Sequence, residues 1–159
     1  MDLDVVIARL QNLPGFTVSR VNEKGTIDVA YQVDMGIVIQ ELLSNFDIED
    51  QAQLIPAQIV NWGRIAAQVK RVWEVTERQY RVWRDSLWVD LATPLEGKKP
   101  TDKLIDATVR RHPGYSQCYA AMEEAEEIYN SCTAILDGWR AKKDIYKTGL
   151  IRRLENTAA

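Results

Sequence analysis

Basic side chains form the most suggestive chemical group in this sequence. They gather in one stretch that holds the end of a predicted helix, a loop and the short helix after it. These residues are Arg78, Arg81, Arg84, Lys98, Lys99, Lys103, Arg110 and Arg111. Lysine and arginine bind nucleic-acid phosphates through charge, and a neighbouring aromatic ring can stack on an unpaired base. The stretch therefore predicts a nucleic-acid-binding surface, on which Trp83, Trp88 or Tyr115 would add base stacking. Trp88 is the expected exposed aromatic residue because it lies off the apolar stripe of its helix.

The same arginines also fit an ordinary solvated helix face. Steps of three residues drift by roughly 60° on a helix of 3.6 residues per turn, so Arg78, Arg81 and Arg84 form a loose spiral. Ion pairs four residues apart, Glu74–Arg78 and Glu77–Arg81, would satisfy part of this charge. A structural or adaptor role with no nucleic acid therefore stays open.

A group of glutamates raises the alternative of a metal site. Glu123, Glu124, Glu126 and Glu127 include an E-x-x-E spacing, which places two carboxylates on one helix face. The Mg²⁺-dependent all-α nucleotide pyrophosphohydrolases use such a pair together with a second E-x-x-D, but Ala134 stands three residues before Asp137 here. The chain also lacks a glycine-rich phosphate loop, a Cys-x-x-Cys pair and a nucleophile elbow. We therefore predict no enzyme, no cofactor and no metal ion, and keep the pyrophosphohydrolase as a third hypothesis.

The overall composition bounds the class of protein. The 159 residues carry a net charge of −3, with 46% hydrophobic and 27% charged residues, as in an ordinary globular protein. Residues 1–60 hold three Lys/Arg against nine Asp/Glu, whereas residues 61–159 hold 17 against 14. No run approaches the ~18 apolar residues of a membrane span, and the N-terminus does not look like a signal peptide. The expected location is the cytoplasm, without a membrane partner.

Two long apolar stripes predict the architecture. Each stripe advances in alternating steps of three and four residues, which is the heptad pattern of packed helices. The first stripe consists of Ile59, Trp62, Ala66, Val69, Trp73, Thr76, Tyr80, Trp83 and Leu87. The second consists of Tyr115, Cys118, Met122, Ala125, Tyr129, Cys132, Leu136, Trp139, Lys143, Tyr146 and Leu150. We predict a mainly α protein built on a long antiparallel helical hairpin with these heptad seams, and expect both cysteines to be buried.

Shorter elements surround the hairpin. Residues 1–53 form an acidic N-terminal segment with short helices and a possible β-hairpin around residues 22–25, residues 54–152 form the helical domain, and residues 153–159 form a loose tail. Pro56 fits the first turn of the long helix. Thr101 is a suitable N-cap for a short helix over 102–112, between the two long ones.

A second apolar stripe predicts self-association. On the first long helix it consists of Ile65, Val72 and Gln79, and on the second of Ala121, Ile128 and Ile135. Two adjacent stripes mean that each helix contacts more than one partner, which favours a bundle or self-association over a lone hairpin. We predict a homo-oligomer.

With this layout, the chain resembles the phage recombination mediators of the UvsY type over residues ~55–150. The residues that carry the likeness are Asn61-Trp62-Gly63-Arg64, Glu77-Arg78-Gln79-Tyr80-Arg81 and Leu136-Asp137-Gly138-Trp139-Arg140-Ala141-Lys142-Lys143, with a lysine-bearing loop and a short helix between them. The resemblance implies an oligomeric protein that binds single-stranded DNA and helps to load a RecA-like recombinase, possibly alongside a single-strand binding protein. It would then act in the host cytoplasm.

Overall fold

The computed structural model describes residues 2–44, 48–93 and 100–157, and the protein is mainly α, as predicted. Two helices of 45 residues each, about 67 Å long, dominate it. The elements in chain order are α1 (Leu3–Leu10), β1 (Phe16–Val21), β2 (Ile27–Val33), α2 (Met35–Leu43), α3 (Ile48–Ala92), α4 (Asp102–Arg111) and α5 (Pro113–Thr157). No helix among these residues combines the length and the apolar run that a bilayer span requires.

Helices α3 and α5 form the antiparallel hairpin that the heptad pattern predicts. The ring of Trp73 stacks on that of Tyr129 at 5.6 Å, and Tyr80 meets Tyr119 at 5.7 Å, so position rises along α3 as it falls along α5. The predicted seams face each other, and Trp139 on α5 is completely buried. The short helix between them also occurs, since the Thr101 hydroxyl accepts the Leu104 N–H at the start of α4.

The ends of the long helices differ from the predictions. Helix α3 begins at Ile48, so the expectation that Pro56 occupies its first turn is wrong. Proline inside a helix removes one backbone hydrogen bond. The adjacent Ile55 is only 1% exposed, and this packing holds the turn in place. At the other end α5 continues to Thr157, so residues 153–157 of the expected tail are helical.

The N-terminal segment packs on one end of the hairpin, which we call the proximal end. Its strands β1 and β2 pair antiparallel around a turn in which Gly25 has a φ of 76°. The predicted β-hairpin therefore exists. It leans on α3 through β1, whose Phe16 and Val18 are buried, whereas β2 is exposed except at Val33.

The proximal core covers much of the second apolar stripe from within the chain. Ile65 of α3 and Ile135 of α5 share one core with Val6 of α1 and Phe16 of β1. The stripe therefore does not by itself require a second copy. A glycine supports this packing, because a Cβ at Gly138 would lie 3.0 Å from Leu42 Cδ1.

Lys142 ties α2 to α5. Its side chain is buried, and its Nζ donates to the carbonyl oxygens of Glu41 and Ser44 at 2.9 Å each. These carbonyls belong to the C-terminal end of α2, where helical C=O groups lack partners within the helix. Burial lowers the pKa of Lys142, and the nearby Glu41 works in the opposite direction.

The two cysteines have different environments. Cys132 lies in the proximal core with no exposure, as predicted, and burial raises its pKa to about 12. Cys118 is only half-buried, so its expected burial is not complete. Cys118 lies far from the proximal core, in a part of α5 that has fewer neighbours.

Candidate nucleic-acid interface

The predicted basic residues that the structure describes lie at the end of the hairpin opposite the proximal core. We call this region the distal end; it comprises residues 78–93 and 100–123. Helix α4 packs here against both long helices. Its apolar face contributes Ile105 and Val109, which are 1% and 3% exposed. This anchorage turns the opposite face of α4 towards solvent.

Three of the predicted basic side chains lie on that free face of α4. Lys103, Arg110 and Arg111 are all exposed and make no ion pair with any residue in the described ranges. Arg110 and Arg111 occupy the last turn of α4, where positive charge interacts favourably with the helix dipole. Lys98 and Lys99, the expected loop lysines, lie outside the described residues. Helix α4 therefore supplies the cationic groups most available for phosphates at this end.

The arginines of α3 are exposed but mostly occupied. Arg81 pairs with Glu77 at 2.7 Å, as the solvated-face interpretation expects, and Arg84 donates from Nε and Nη2 to one carboxylate oxygen of Asp85. This hydrogen bond raises the pKa of Arg84 above its usual value. Exposed pairs of this kind contribute ~0–1 kcal/mol, so they reduce the local positive charge without fixing the side chains strongly.

Arg78 differs from its two neighbours. The expected Glu74–Arg78 pair does not form, because Glu74 lies 4.0 Å from Lys70 instead. Within the described part of the chain, Arg78 has no carboxylate partner. Its guanidinium is exposed and keeps its full charge for an external anion.

Trp88, the aromatic residue that its position off the stripe suggested, is half-buried, as are Trp83 and Tyr115. Its predicted role as a stacking surface for a base therefore stays a prediction.

Five aromatic rings form a cluster at the distal end. Tyr115 and Tyr119, four residues apart on α5, stack at 5.4 Å with an angle of 8° between their planes. Tyr80 meets both tyrosines at 6.2 and 5.7 Å, and Trp83 meets Tyr115 at 6.4 Å and His112 at 5.5 Å. We call these five residues the aromatic cluster. Its tyrosine and tryptophan rings are only half-buried, so part of the π-surface faces solvent.

Two phenols of the aromatic cluster have a raised pKa. Burial raises the pKa of Tyr80 above its usual value, with a further contribution from its hydrogen bond to Tyr115. A hydrogen bond to Glu123 raises the pKa of Tyr119. The predicted stripes already contain Tyr80, Trp83 and Tyr115, whereas Tyr119 and His112 lie off them, so the sequence signalled only part of the cluster.

Acidic side chains also occur at the distal end. Asp102 and Asp106 on α4 and Asp90 on α3 are exposed, and Asp106 lies close enough to interact with Arg84. The surface is therefore mixed in charge rather than uniformly basic. Such a surface binds phosphates locally, through particular side chains, and not by attraction to its whole area.

The glutamates of α5 do not assemble a metal centre. No group of three His, Cys, Asp or Glu side chains among the described residues could hold an ion. Glu123 instead interacts with Tyr119, while Glu124 and Glu127 line an open cavity of about 520 Å³ beside Arg9. These glutamates therefore act as individual surface groups.

Comparison with known proteins gives no relative for this chain. No family model, no curated protein and no solved structure matches it.

Proposed function

We propose that this protein binds single-stranded DNA at the distal end of its helical hairpin. The observation that carries the proposal is the exposed, unpaired basic face of α4 at the same end as the aromatic cluster. In this arrangement Lys103, Arg110 and Arg111 neutralise phosphates, and bases stack on the free surfaces of Trp83 and Tyr115. Stacking of a base on an aromatic ring contributes ~1–3 kcal/mol and tolerates any sequence.

Within this proposal, the protein acts as a recombination mediator that helps a RecA-like recombinase to assemble on the strand. The support is the resemblance of the sequence over residues ~55–150 to the UvsY-type mediators, with lysines Lys98 and Lys99 between the two long apolar stripes. A mediator of this kind holds the DNA at many weak contacts, and phosphate contacts from several copies add together.

We also propose that the protein is a homo-oligomer, and the exposed strand β2 supports this. Among the described strands β2 pairs only with β1, so its other edge has free N–H and C=O groups. Proteins usually protect such an edge with charged side chains (lysine above all), proline, a β-bulge or a covering element. Strand β2 contains no lysine or proline, carries one charged residue, Asp28, and a register shift at Ala30, and its Val29 is 75% exposed.

A structural or adaptor role is the second candidate. The observation in its favour is that Arg81 and Arg84 already have internal carboxylate partners, while apolar residues at the same end are exposed. Val82, Val89 and Leu104 are 65%, 63% and 58% exposed. In this role the distal end contacts a protein through these side chains.

Charge reversal distinguishes the two roles. The test variant is Arg110→Glu/Arg111→Glu, and the matched control is Lys147→Glu/Arg152→Glu, which makes the same charge change on exposed residues near the C-terminal end of α5. Binding of a labelled ~30-nucleotide single strand is followed by fluorescence anisotropy at several salt concentrations. Loss of two phosphate contacts should reduce the slope of log K against log salt by about 1.4, and the control should leave it unchanged. No binding by the wild-type protein at ~50 mM salt would contradict the proposal.

A further inference from the structure

Three arginines lie in a straight line on the side of α3 that faces away from α5. Arg64, Arg71 and Arg78 are seven residues apart, and seven residues fall only about 20° short of two helical turns. Arg71 is two residues, about 200°, from both Val69 and Trp73 of the seam, so it points directly away from the hairpin interface. We call this side of the helix the outer face.

The three guanidinium groups are exposed. None of them forms an ion pair with a residue that the structure describes, and Arg64 donates one long hydrogen bond of 3.4 Å to Asn61 Oδ1. The two nearby glutamates pair with other side chains, since Glu74 lies 4.0 Å from Lys70 and Glu77 lies 2.7 Å from Arg81. Positive charge therefore predominates on the outer face over this length.

Val60, Ala67, Val75 and Val82, which are small or apolar, occupy the same side of α3. One exposed carboxylate also lies there: Glu74, three residues after Arg71 and four before Arg78, is 4.0 Å from Lys70 Nζ. Helix α3 of a second copy is a poor partner for the outer face. If the two helices packed antiparallel and were centred on Arg71, Arg64 of one copy would lie against Arg78 of the other. A linear polyanion matches this charge pattern.

We propose that Arg64, Arg71 and Arg78 form a phosphate-binding track for single-stranded nucleic acid along the outer face of α3. This inference rests on the proposed function and extends it, because it gives the strand a path from the distal end towards the proximal end. Successive arginines are about 10.5 Å apart along the helix, so the track is about 21 Å long. A stacked strand advances about 3.4 Å per nucleotide along its axis, so the spacing of successive arginines equals the rise of about three nucleotides.

The proximal end of the track meets β2. Tyr31 of β2 is 42% exposed and lies close to Arg64. Burial raises the pKa of Tyr31, while the charge of Arg64 works in the opposite direction. Its neutral ring offers a stacking surface where the strand leaves the last arginine.

The test removes the three charges together. The variant Arg64→Gln/Arg71→Gln/Arg78→Gln should lower the slope of log K against log salt by about 2, since each single-strand phosphate contact contributes about 0.7. A change of about 2 in the slope of log K against log salt corresponds to an affinity lower by about 100-fold at ~0.1 M salt. The probe is a labelled ~30-nucleotide oligothymidine, and circular dichroism confirms the helical content of each variant.

Two matched variants make the result specific. Lys24→Gln/Lys147→Gln/Arg152→Gln removes the same charge from exposed residues away from the outer face and should keep the wild-type slope. Arg64→Lys/Arg71→Lys/Arg78→Lys keeps the charge and should keep most of the slope. An unchanged slope for the glutamine variant, or an equal loss in the control, would overturn the track while leaving binding at the distal end intact. Failure of the wild-type protein to bind would overturn both.

Discussion

Gly138 gives a sharp test of how the N-terminal segment packs on the hairpin. The perturbation is Gly138→Ala on α5. In an open helical position this change stabilises a protein by about 1 kcal/mol, because alanine has the higher helix propensity. At Gly138 the new Cβ would lie 3.0 Å from Leu42 Cδ1 and 3.4 Å from both Leu42 Cδ2 and Val6 Cγ1.

The surrounding side chains have little room to move. Leu42 is 1% exposed and Val6 5%, so neither can turn out into solvent without opening the core. Overpacking of this kind costs about 1–3 kcal/mol. After the gain in helix propensity is subtracted from this cost, Gly138→Ala should destabilise the protein by about 1 kcal/mol. This corresponds to a fall in Tm of about 2–4 °C for a chain of this size.

Gly63 provides the matched control. It lies inside α3, and a Cβ there would meet nothing within 4 Å. Gly63→Ala should therefore stabilise the protein by about 1 kcal/mol, and thermal unfolding followed by circular dichroism compares the two variants directly. Adding Leu42→Ala should make Gly138→Ala stabilising, since the obstructing side chain is gone. If Gly138→Ala raises the Tm as much as Gly63→Ala does, the close approach of α2 to α5 is refuted.

Four further predictions concern buried groups and the free strand edge. Native protein at pH 8 should react with a thiol reagent at Cys118 only, because burial raises the pKa of Cys132 to about 12, and both thiols should react after denaturation. Because the thiol of Cys132 keeps its proton in the folded chain up to about pH 12 but loses it in the unfolded chain above about pH 9, the free energy of unfolding should fall between these two pH values. Cys132→Ala removes this titration and should make the fall smaller over that range. Lys142→Met should destabilise the protein by about 2–3 kcal/mol in urea titrations, because two carbonyls at the end of α2 lose a charged donor. Light scattering at micromolar concentration should give a mass above that of one 18.2 kDa chain. The variant Val29→Lys on β2 should lower this mass. A monomeric wild-type protein would contradict the proposed homo-oligomer.

The periodicity of apolar residues was enough to predict the helical hairpin. A stripe such as Trp62, Val69 and Trp73 specifies both the helix and the face that it buries, because the energy of burial depends on the same spacing. The starting point of α3 could not be predicted in this way. Pro56 favours a first turn by local rules, but tertiary packing around Ile55 stabilises a longer helix.

The candidate site was only partly predictable. The sequence located the basic residues of α4, but it could not choose between Lys70 and Arg78 as the partner of Glu74, since both are four residues away. It also did not indicate that Tyr119 and His112 join the aromatic cluster, since both lie off the heptad seams. These features depend on how distant segments meet, and periodicity within one helix carries no information about that.

Ultraviolet crosslinking of the full-length protein to a single strand, followed by peptide mapping, tests the central claim most directly. The probe is a ~30-nucleotide oligothymidine that carries a photoreactive base, irradiated at ~50 mM salt, where phosphate contacts are strongest. Our account predicts crosslinked peptides that contain Trp83, Tyr115 or Tyr119, and their loss in Arg110→Glu/Arg111→Glu. Absence of any crosslinked peptide, or crosslinks confined to α1, α2 and the C-terminal end of α5, would contradict it.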